Sequence, residues 1–275
     1  MPIDATNLVA TLELMLAVAG AVLLWRLVLS PSARGRPAAR RLAPWTATGP
    51  EFFLFVLCVL GGSFLFGAAA SLLLRHLSLR GDAVTVVSGA ATQFGMLAGV
   101  LFHRLRFEPA PAGDAGRPGI FAGGAATFLM CLPVMLLTAA VWERLLQLAG
   151  LPVERQDLIG MFANAESAWL LAVMIALAIA IAPLTEELVF RAGLFRYLRT
   201  RVPRWLALAG PAVFFAVLHV NWSTLQGLSS LAPLAVLAVL FSLAYERTGQ
   251  IGTAIVAHAL FNLNTLVLIF AGVGL

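Results

Sequence analysis

The sequence predicts an all-α, polytopic membrane protein, a bundle of about eight transmembrane helices. Hydrophobic residues make up 61% of the 275 residues and charged residues only 11%. The mean hydropathy is +0.94, whereas a soluble domain is about 45–50% apolar and about 25% charged. The apolar residues also gather into runs close to the roughly 20 residues that cross a bilayer. These two observations predict an integral, multi-pass membrane protein, so the lipid bilayer is an expected partner.

The apolar runs define the predicted helices in order. They lie at about 8–30, 52–74, 83–102, 119–141, 169–198, 205–222, 231–246 and 251–273. The fifth run is long enough to be tilted, kinked at Pro183 or partly surface-lying, and the seventh is short for a span.

The connections between the runs predict the topology. All 18 basic residues are arginine; loop 31–50 carries four of them, the turn 196–204 carries four, and "NWSTLQGLSS" carries none. Because arginine-rich loops stay in the cytoplasm, both termini are predicted to face outward. The net charge of +5 is thus explained by topology, and no nucleic-acid partner is expected. The Gly/Ala/Arg-rich composition suggests a bacterial inner membrane.

Two parts of the chain differ in their polar residues. Residues 1–165 are predicted to hold about four membrane segments, and they include an interfacial, amphipathic stretch at 142–166 that begins "WERLLQLAGL". A Pro/Gly-rich linker occupies 103–118. Residues 166–275 hold about four further segments and most of the ionisable residues that lie within apolar runs, so the candidate site is expected there.

The stretch "APLTEELVFRAGLFRYLR" places two adjacent glutamates within the fifth run. One carboxylate in hydrocarbon costs roughly 2.5–3.5 kcal/mol even on insertion scales. Glu187 and Arg191 are four residues apart with the acid first, the favourable order for an ion pair on a helix. Glu186 points about 100° away around the helix. We therefore expect Glu187 to be paired and Glu186 to serve another role.

Two further pairs share the four-residue spacing. Phe215 and His219 lie on one helix face, and so do His258 and Asn262. Counted from the arginine-rich turn near residue 201, Glu186 and His219 are both on the order of 22–27 Å along their helices. One carboxylate, two imidazoles and one carboxamide are therefore expected at similar depth, where they can converge in a cavity.

This set of groups fits the hydrolysis of an amide. A buried carboxylate beside a histidine can hold a water and accept its proton, and a second histidine and an asparagine can donate hydrogen bonds to an oxyanion. The glutamate and the two histidines could instead be three metal ligands with an open water position. The sequence has no HExxH, the usual zinc signature on one helix. No cofactor is predicted, and zinc remains the alternative.

The three motifs EExxxR, FxxxH and HxxxN occur intact and in this order, and they resemble the CPBP family of CAAX proteases and bacteriocin-processing enzymes. That group includes the Ras-converting CAAX endopeptidase and is usually described as glutamic proteases, with a metal mechanism proposed earlier. The resemblance covers about residues 166–275. It implies that Glu186 activates water with His219 and that His258 and Asn262 stabilise the oxyanion. The candidate catalytic residues are Glu186, Glu187, His219, His258 and Asn262, with Arg191 and Phe215 in support.

The function predicted is that of an intramembrane endopeptidase acting on a membrane-associated peptide or protein. The alternative is a non-proteolytic relative that serves as a bacteriocin-immunity factor or a membrane scaffold. Buried glutamate and histidine also occur in proton-coupled transporters, but no inverted repeat supports that interpretation.

Overall fold

The computed structural model describes residues 5–35, 42–77, 79, 81–107, 119–153, 160, 162 and 167–273. Within these ranges every regular element is helical, so the predicted all-α fold class is confirmed. The α-helices are α1 (Ala5–Leu24), α2 (Pro31–Arg34), α3 (Gly49–Leu74), α4 (Asp82–Phe107), α5 (Ile120–Leu148), α6 (Ala168–Ala176), α7 (Ala182–Glu186), α8 (Arg196–Arg199), α9 (Arg204–His219), α10 (Leu231–Thr248) and α11 (Ile251–Phe270). Three π-helical stretches, Trp25–Leu29, Leu177–Ile181 and Glu187–Phe195, and a 3₁₀ turn, Leu225–Ser230, join or extend them.

Seven helical stretches in the described part of the chain are long and apolar enough to cross a membrane. They are Ala5–Leu29, Gly49–Leu74, Asp82–Phe107, Ile120–Leu148, Ala168–Arg199, Gly227–Thr248 and Ile251–Phe270. The sixth predicted segment forms α9, an apolar but shorter helix of 16 residues. At about 1.5 Å per residue α9 extends roughly 24 Å, less than the roughly 30 Å of the hydrocarbon core. The multi-pass prediction is confirmed, and of the eight predicted segments the sixth is a shorter helix.

The helix α5 continues past the end predicted for the fourth segment. It has 29 residues and runs through "WERLLQL" to Leu148, whereas the apolar run ends near residue 141. These residues are mostly good helix formers, so the helix persists where the hydropathy falls. Trp142 fixes this end because its indole Nε1 donates a 2.8 Å hydrogen bond to the Leu228 carbonyl. The amphipathic stretch thus begins as a continuation of α5, and most of its predicted range beyond residue 153 lies outside the described residues.

The fifth segment is helical throughout, and two π-helical stretches interrupt its α-helical hydrogen bonding. The π-helical stretch Leu177–Ile181 comes directly before Pro183. Proline lacks an N–H and its ring clashes with the carbonyl four residues earlier in a regular α-helix. A π-bulge relieves such a conflict by inserting one residue into the turn. The second stretch, Glu187–Phe195, contains the paired glutamate and Arg191.

The helices form two compact units. One comprises Met1–Ala43, Ile120–Asn164 and Val202–Leu275, and the other comprises Pro44–Gly119 and Ala165–Arg201; we call them the histidine unit and the glutamate unit after the candidate residues that each contains. The sequence analysis divided the chain differently, into an N-terminal part, 1–165, and a part that holds the motifs, 166–275. That division stays a prediction.

In the glutamate unit, α3 and α4 pack with their backbones in contact. A Cβ placed on Gly95 would strike the carbonyl of Gly62, and one placed on Gly99 would strike the carbonyl of Cys58. Small residues allow this close approach, which stabilises membrane helix pairs through dispersion. The tight pair provides a rigid support for the fifth segment, which packs against α4.

An aromatic cluster ties loop 42–48 to the end of the fifth segment. Trp45 is buried and meets Phe55 at 5.5 Å and Tyr197 at 6.1 Å between ring centroids. The guanidinium of Arg201 lies 3.7 Å above the Tyr197 ring, and the same side chain donates hydrogen bonds to the carbonyls of Trp45 and Ala47. The cation–π contact and these hydrogen bonds hold the loop on the helix that carries both glutamates.

The histidine unit contains a bidentate ion pair that the sequence did not indicate. Arg204, at the start of α9, contacts Glu246 near the end of α10 with Nε–Oε2 and Nη2–Oε2 distances of 2.9 and 2.7 Å. Glu246 is buried, whereas the Arg204 side chain is 44% exposed. The pKa of Arg204 is raised, chiefly by these hydrogen bonds. The helix α9, which carries His219, is thereby tied to α10 at one end.

Exposed tryptophans mark the ends of several helices. Trp25, Trp169, Trp205 and Trp222 are each at least half exposed, and each lies near the end of an apolar helix. Tryptophan is enriched at the membrane–water interface, because its ring is apolar and its N–H is polar. This distribution is typical of the aromatic belts of a multi-pass membrane protein.

The predicted topology can be tested by cysteine accessibility. Cys58 and Cys131 would first be replaced by alanine, and single cysteines placed at the exposed positions Gly35, Thr200 and Ser223. We expect a membrane-impermeant maleimide to label position 223 in intact cells and to label positions 35 and 200 only after the membrane is opened. Labelling of positions 35 and 200 in intact cells would overturn the positive-inside assignment.

Candidate active site

The glutamate unit contains a buried ion pair inside a π-helical stretch. Glu187 is 0% and Arg191 is 1% exposed, and Arg191 Nη1 donates a 2.8 Å hydrogen bond to Glu187 Oε1. This is the contact that the four-residue spacing predicts. The stretch Glu187–Phe195 is assigned as π-helix, a departure from α geometry that is frequent at functional sites. One of the two adjacent glutamates is therefore bound to an arginine on its own helix.

Glu186 meets a different partner. It is the last residue of α7 and is 9% exposed. Gln93 on α4 donates its Nε2 amide hydrogen to Glu186 Oε1 at 3.4 Å. Gln93 was not predicted, because it lies outside the three motifs. A glutamine within an otherwise apolar run is also a signal, since an unsatisfied amide in hydrocarbon is costly.

In the histidine unit, the FxxxH motif occupies the end of α9. His219 is the last residue of this helix and is exposed. Its Nδ1 lies 2.7 Å from the carbonyl oxygen of Phe215. Since a carbonyl can only accept, this contact places the proton on Nδ1 and the lone pair of the neutral imidazole on Nε2. The Phe215 ring lies 4.2 Å from the imidazole, so the phenylalanine supports the ring and orients it as well.

The HxxxN motif meets the FxxxH motif through the same phenylalanine. His258 on α11 is 5% exposed. It stacks on Phe241 at 5.2 Å and meets the edge of Phe215 at 6.5 Å between centroids. Phe215 therefore contacts both imidazoles. Phe241 was not predicted, because a phenylalanine in an apolar run gives no separate signal.

Asn262 lies one turn after His258 on a regular α-helix. The helix α11 is α-helical from Ile251 to Phe270, so residues four apart share one face. Asn262 is partly buried. Its carboxamide and the imidazole of His258 are thus presented from the same face of α11.

Metal binding by residues of a single unit has little support in the geometry. Within each unit, the described histidine, cysteine, aspartate and glutamate side chains form no group of three or more that could hold an ion. Convergence of Glu186 with the two histidines stays a prediction from the sequence, and so does the zinc alternative that depends on it.

A comparison with known families identifies the rear of the chain. Residues 168–264 match the family model described as type II CAAX prenyl endopeptidase Rce1-like. All three motifs lie within this range. This match supports the resemblance of the chain to the CAAX protease family. No curated protein and no solved structure matches the chain.

The match to a CAAX protease family model, together with seven helices long and apolar enough to cross a membrane in the described residues, indicates an integral, multi-pass membrane protease. The family resemblance read from the three motifs is confirmed. The matched range includes Glu186, Glu187 and Arg191 in the glutamate unit, and Phe215, His219, His258 and Asn262 in the histidine unit.

Proposed function

We propose that this protein is an intramembrane endopeptidase that hydrolyses a peptide bond of a membrane-associated substrate with a water activated by Glu186 and His219. The proposal depends mainly on one observation. Two adjacent buried glutamates have different hydrogen-bond donors: Arg191 donates to Glu187 at 2.8 Å, whereas the amide of Gln93 donates to Glu186, which interacts with Arg191 through the electrostatic field of its guanidinium. A direct ion pair favours the charged form of a carboxylate more strongly than a hydrogen bond from an amide does, so Glu186 is the better candidate for a proton acceptor.

The reaction begins with the water. Glu186 accepts one proton as the water oxygen forms a bond to the carbonyl carbon of the scissile peptide. The carbonyl π electrons move to the oxygen and produce a tetrahedral oxyanion. Glu186 then returns the proton to the leaving nitrogen, the C–N bond breaks, and an amine and a carboxylic acid result. General acid–base catalysis of this kind contributes about 10²–10⁴-fold.

His219 would position the same water. The hydrogen bond from Nδ1 to the Phe215 carbonyl fixes the tautomer, so Nε2 carries the lone pair and can accept a hydrogen from the water. The contact of Phe215 with both imidazoles would keep them in register. Phe215 therefore acts as a positioning residue for the two imidazoles.

His258 and Asn262 would stabilise the oxyanion. Both lie on one face of α11, and each can donate an N–H toward the developing negative charge. One well-placed oxyanion donor is worth about 10²–10³-fold in rate. Glu187 and Arg191 are assigned a supporting role, because their ion pair fixes the helix that presents Glu186.

The family description suggests a substrate class. The name CAAX prenyl endopeptidase suggests a peptide with a prenylated C-terminal CAAX sequence, and a site formed by membrane helices suits a substrate anchored by a lipid. We propose such a lipidated or membrane-embedded peptide as the substrate, and a bacterial inner membrane as the location. The corresponding reagent is a fluorogenic peptide that ends in a farnesylated CAAX sequence, hereafter the CAAX reporter.

Mapping of new protein termini tests the function directly. Membranes from a strain lacking the protein would be complemented with the wild type or with Glu186→Gln, and the N-termini compared. A proteolytic function predicts one or more termini that need the wild type and are absent with Glu186→Gln. A strain phenotype restored equally by both proteins, without any new terminus, would favour an immunity factor or a scaffold instead.

Chelation separates the two mechanisms. A mechanism in which Glu186 activates water without a metal predicts that the purified wild type keeps its rate on the CAAX reporter after prolonged incubation with EDTA and 1,10-phenanthroline. Loss of the rate, followed by recovery on addition of zinc, would reassign Glu186, His219 and His258 as metal ligands. Circular dichroism of the chelated protein controls for unfolding.

A further inference from the structure

Gln93 lies outside the family match, which begins at residue 168. It is placed on α4 (Asp82–Phe107) and faces the fifth segment within the same compact unit. Its Nε2 is 3.4 Å from Glu186 Oε1, a long hydrogen bond. The front half of the chain thus contributes a polar group to the candidate base.

The orientation of the Gln93 amide follows from chemistry. An ionised carboxylate can only accept hydrogen bonds, so the amide must present its NH₂ group to Glu186. The reverse orientation would place two acceptor oxygens against each other. The other end of the amide, Oε1, is buried and has no hydrogen-bond partner among the described residues. A buried amide that served packing alone would normally satisfy both ends.

The neighbouring polar residue on α4 shows the usual arrangement. Thr92 donates its hydroxyl to the Ser88 carbonyl of its own helix at 3.0 Å and so needs no partner on another helix. Gln93 is different, because its donor is directed to a carboxylate on a second helix. The close backbone packing of α3 on α4 through Gly95 and Gly99 limits movement of the helix that carries it.

We propose that Gln93 is a positioning residue for the hydrolytic reaction: its amide holds one oxygen of Glu186 so that the carboxylate keeps a fixed plane toward the reacting water. This inference rests on the proposed function. Hydrogen bonds to charged groups contribute about 1.5–3 kcal/mol. If that interaction is needed fully only when the base acts, its loss lowers kcat by about 10- to 100-fold.

The test compares Gln93→Met with Thr92→Val. Methionine keeps the length of the side chain and suits an apolar run, but it has no donor. With the CAAX reporter we expect Gln93→Met to lower kcat by about 10- to 100-fold with KM changed by less than about threefold. We expect Thr92→Val to change neither. Melting temperatures in detergent should match the wild type for both variants. If Gln93→Met melts early, Gln93→Asn serves as the second variant, because its amide is one methylene too short to hold Glu186 at the same place: a lowered kcat supports the positioning role, and a kcat equal to that of the wild type overturns it.

A double mutant shows whether Gln93 acts through Glu186. In the Glu186→Gln background, Gln93→Met should lower the residual kcat by less than about twofold, because the carboxylate that it positions is gone. A full loss of kcat in both backgrounds would overturn the positioning role. If Glu186→Gln is inactive and Gln93→Met is fully active, the inference about Gln93 fails while the proposed function stands. If Glu186→Gln is as active as the wild type, both fail.

Discussion

Glu186→Gln is expected to lower kcat on the CAAX reporter by about 10²–10⁴-fold. Glutamine keeps the size and polarity of the side chain, so the buried site remains filled, but an amide oxygen cannot take a proton from water at neutral pH. The loss should therefore appear in kcat and in kcat/KM to a similar extent. Purified protein in detergent or liposomes, assayed at saturating reporter, provides the measurement.

A matched control for this variant is Glu13→Gln. Glu13 is a partly buried glutamate on α1, and the proposed mechanism does not use it. We expect its variant to keep kcat within about twofold of the wild type, since it takes no part in the chemical step. Equal losses in both variants would mean that any intramembrane carboxylate matters through stability, and full activity of Glu186→Gln would remove the proposed base.

Arg191→Ala is expected to destabilise the folded protein by about 3–5 kcal/mol. The substitution leaves Glu187, which is 0% exposed, as a buried carboxylate without the guanidinium that meets it at 2.8 Å. It also removes a large buried side chain from the π-helical stretch and leaves a cavity. Unfolding in mixed micelles with increasing SDS measures the free energy, and a lower expression yield should accompany it.

Two further variants show whether charge or packing causes this loss. Glu187→Leu combined with Arg191→Met removes both charges and keeps apolar volume, and such replacements of buried ion pairs are often neutral or stabilising. We expect this double variant to recover most of the lost stability. Arg247→Ala, at an exposed arginine that donates to the Leu27 carbonyl, should cost much less. An Arg191→Ala protein as stable as the wild type would contradict the role of the pair.

The helices could be predicted because the relevant physics is local. Each apolar run forms a helix, since a backbone in hydrocarbon must satisfy its own hydrogen bonds. The contacts of Glu187 with Arg191 and of Phe215 with His219 follow from the four-residue spacing within one helix. The length of α5 was underestimated, because hydropathy falls at "WERLLQL" while helix propensity does not.

Other features depend on packing between helices and leave little trace in the sequence. Gln93 and Glu186 are 93 residues apart, and the ion pair of Arg204 with Glu246 joins two different helices. A π-helical stretch such as Glu187–Phe195 differs from an α-helix by a shift of one residue in hydrogen bonding. The amino-acid composition of the segment does not predict this change from α-helical to π-helical hydrogen bonding. A search for uncharged polar residues within apolar runs would have singled out Gln93.

The central claim is that Glu186 and His219 act on one water. It is tested most directly by a double-mutant cycle on the CAAX reporter, with Glu186→Gln, His219→Ala and the combined variant. We expect each single variant to lose about 10²–10⁴-fold in kcat and the double variant to lose about as much as the more damaged single one, because residues that act as a unit are strongly non-additive. If the fold-loss in kcat of the double variant instead equals the product of the two single fold-losses, the two residues act independently. That result would contradict a shared water and assign the two residues to separate steps.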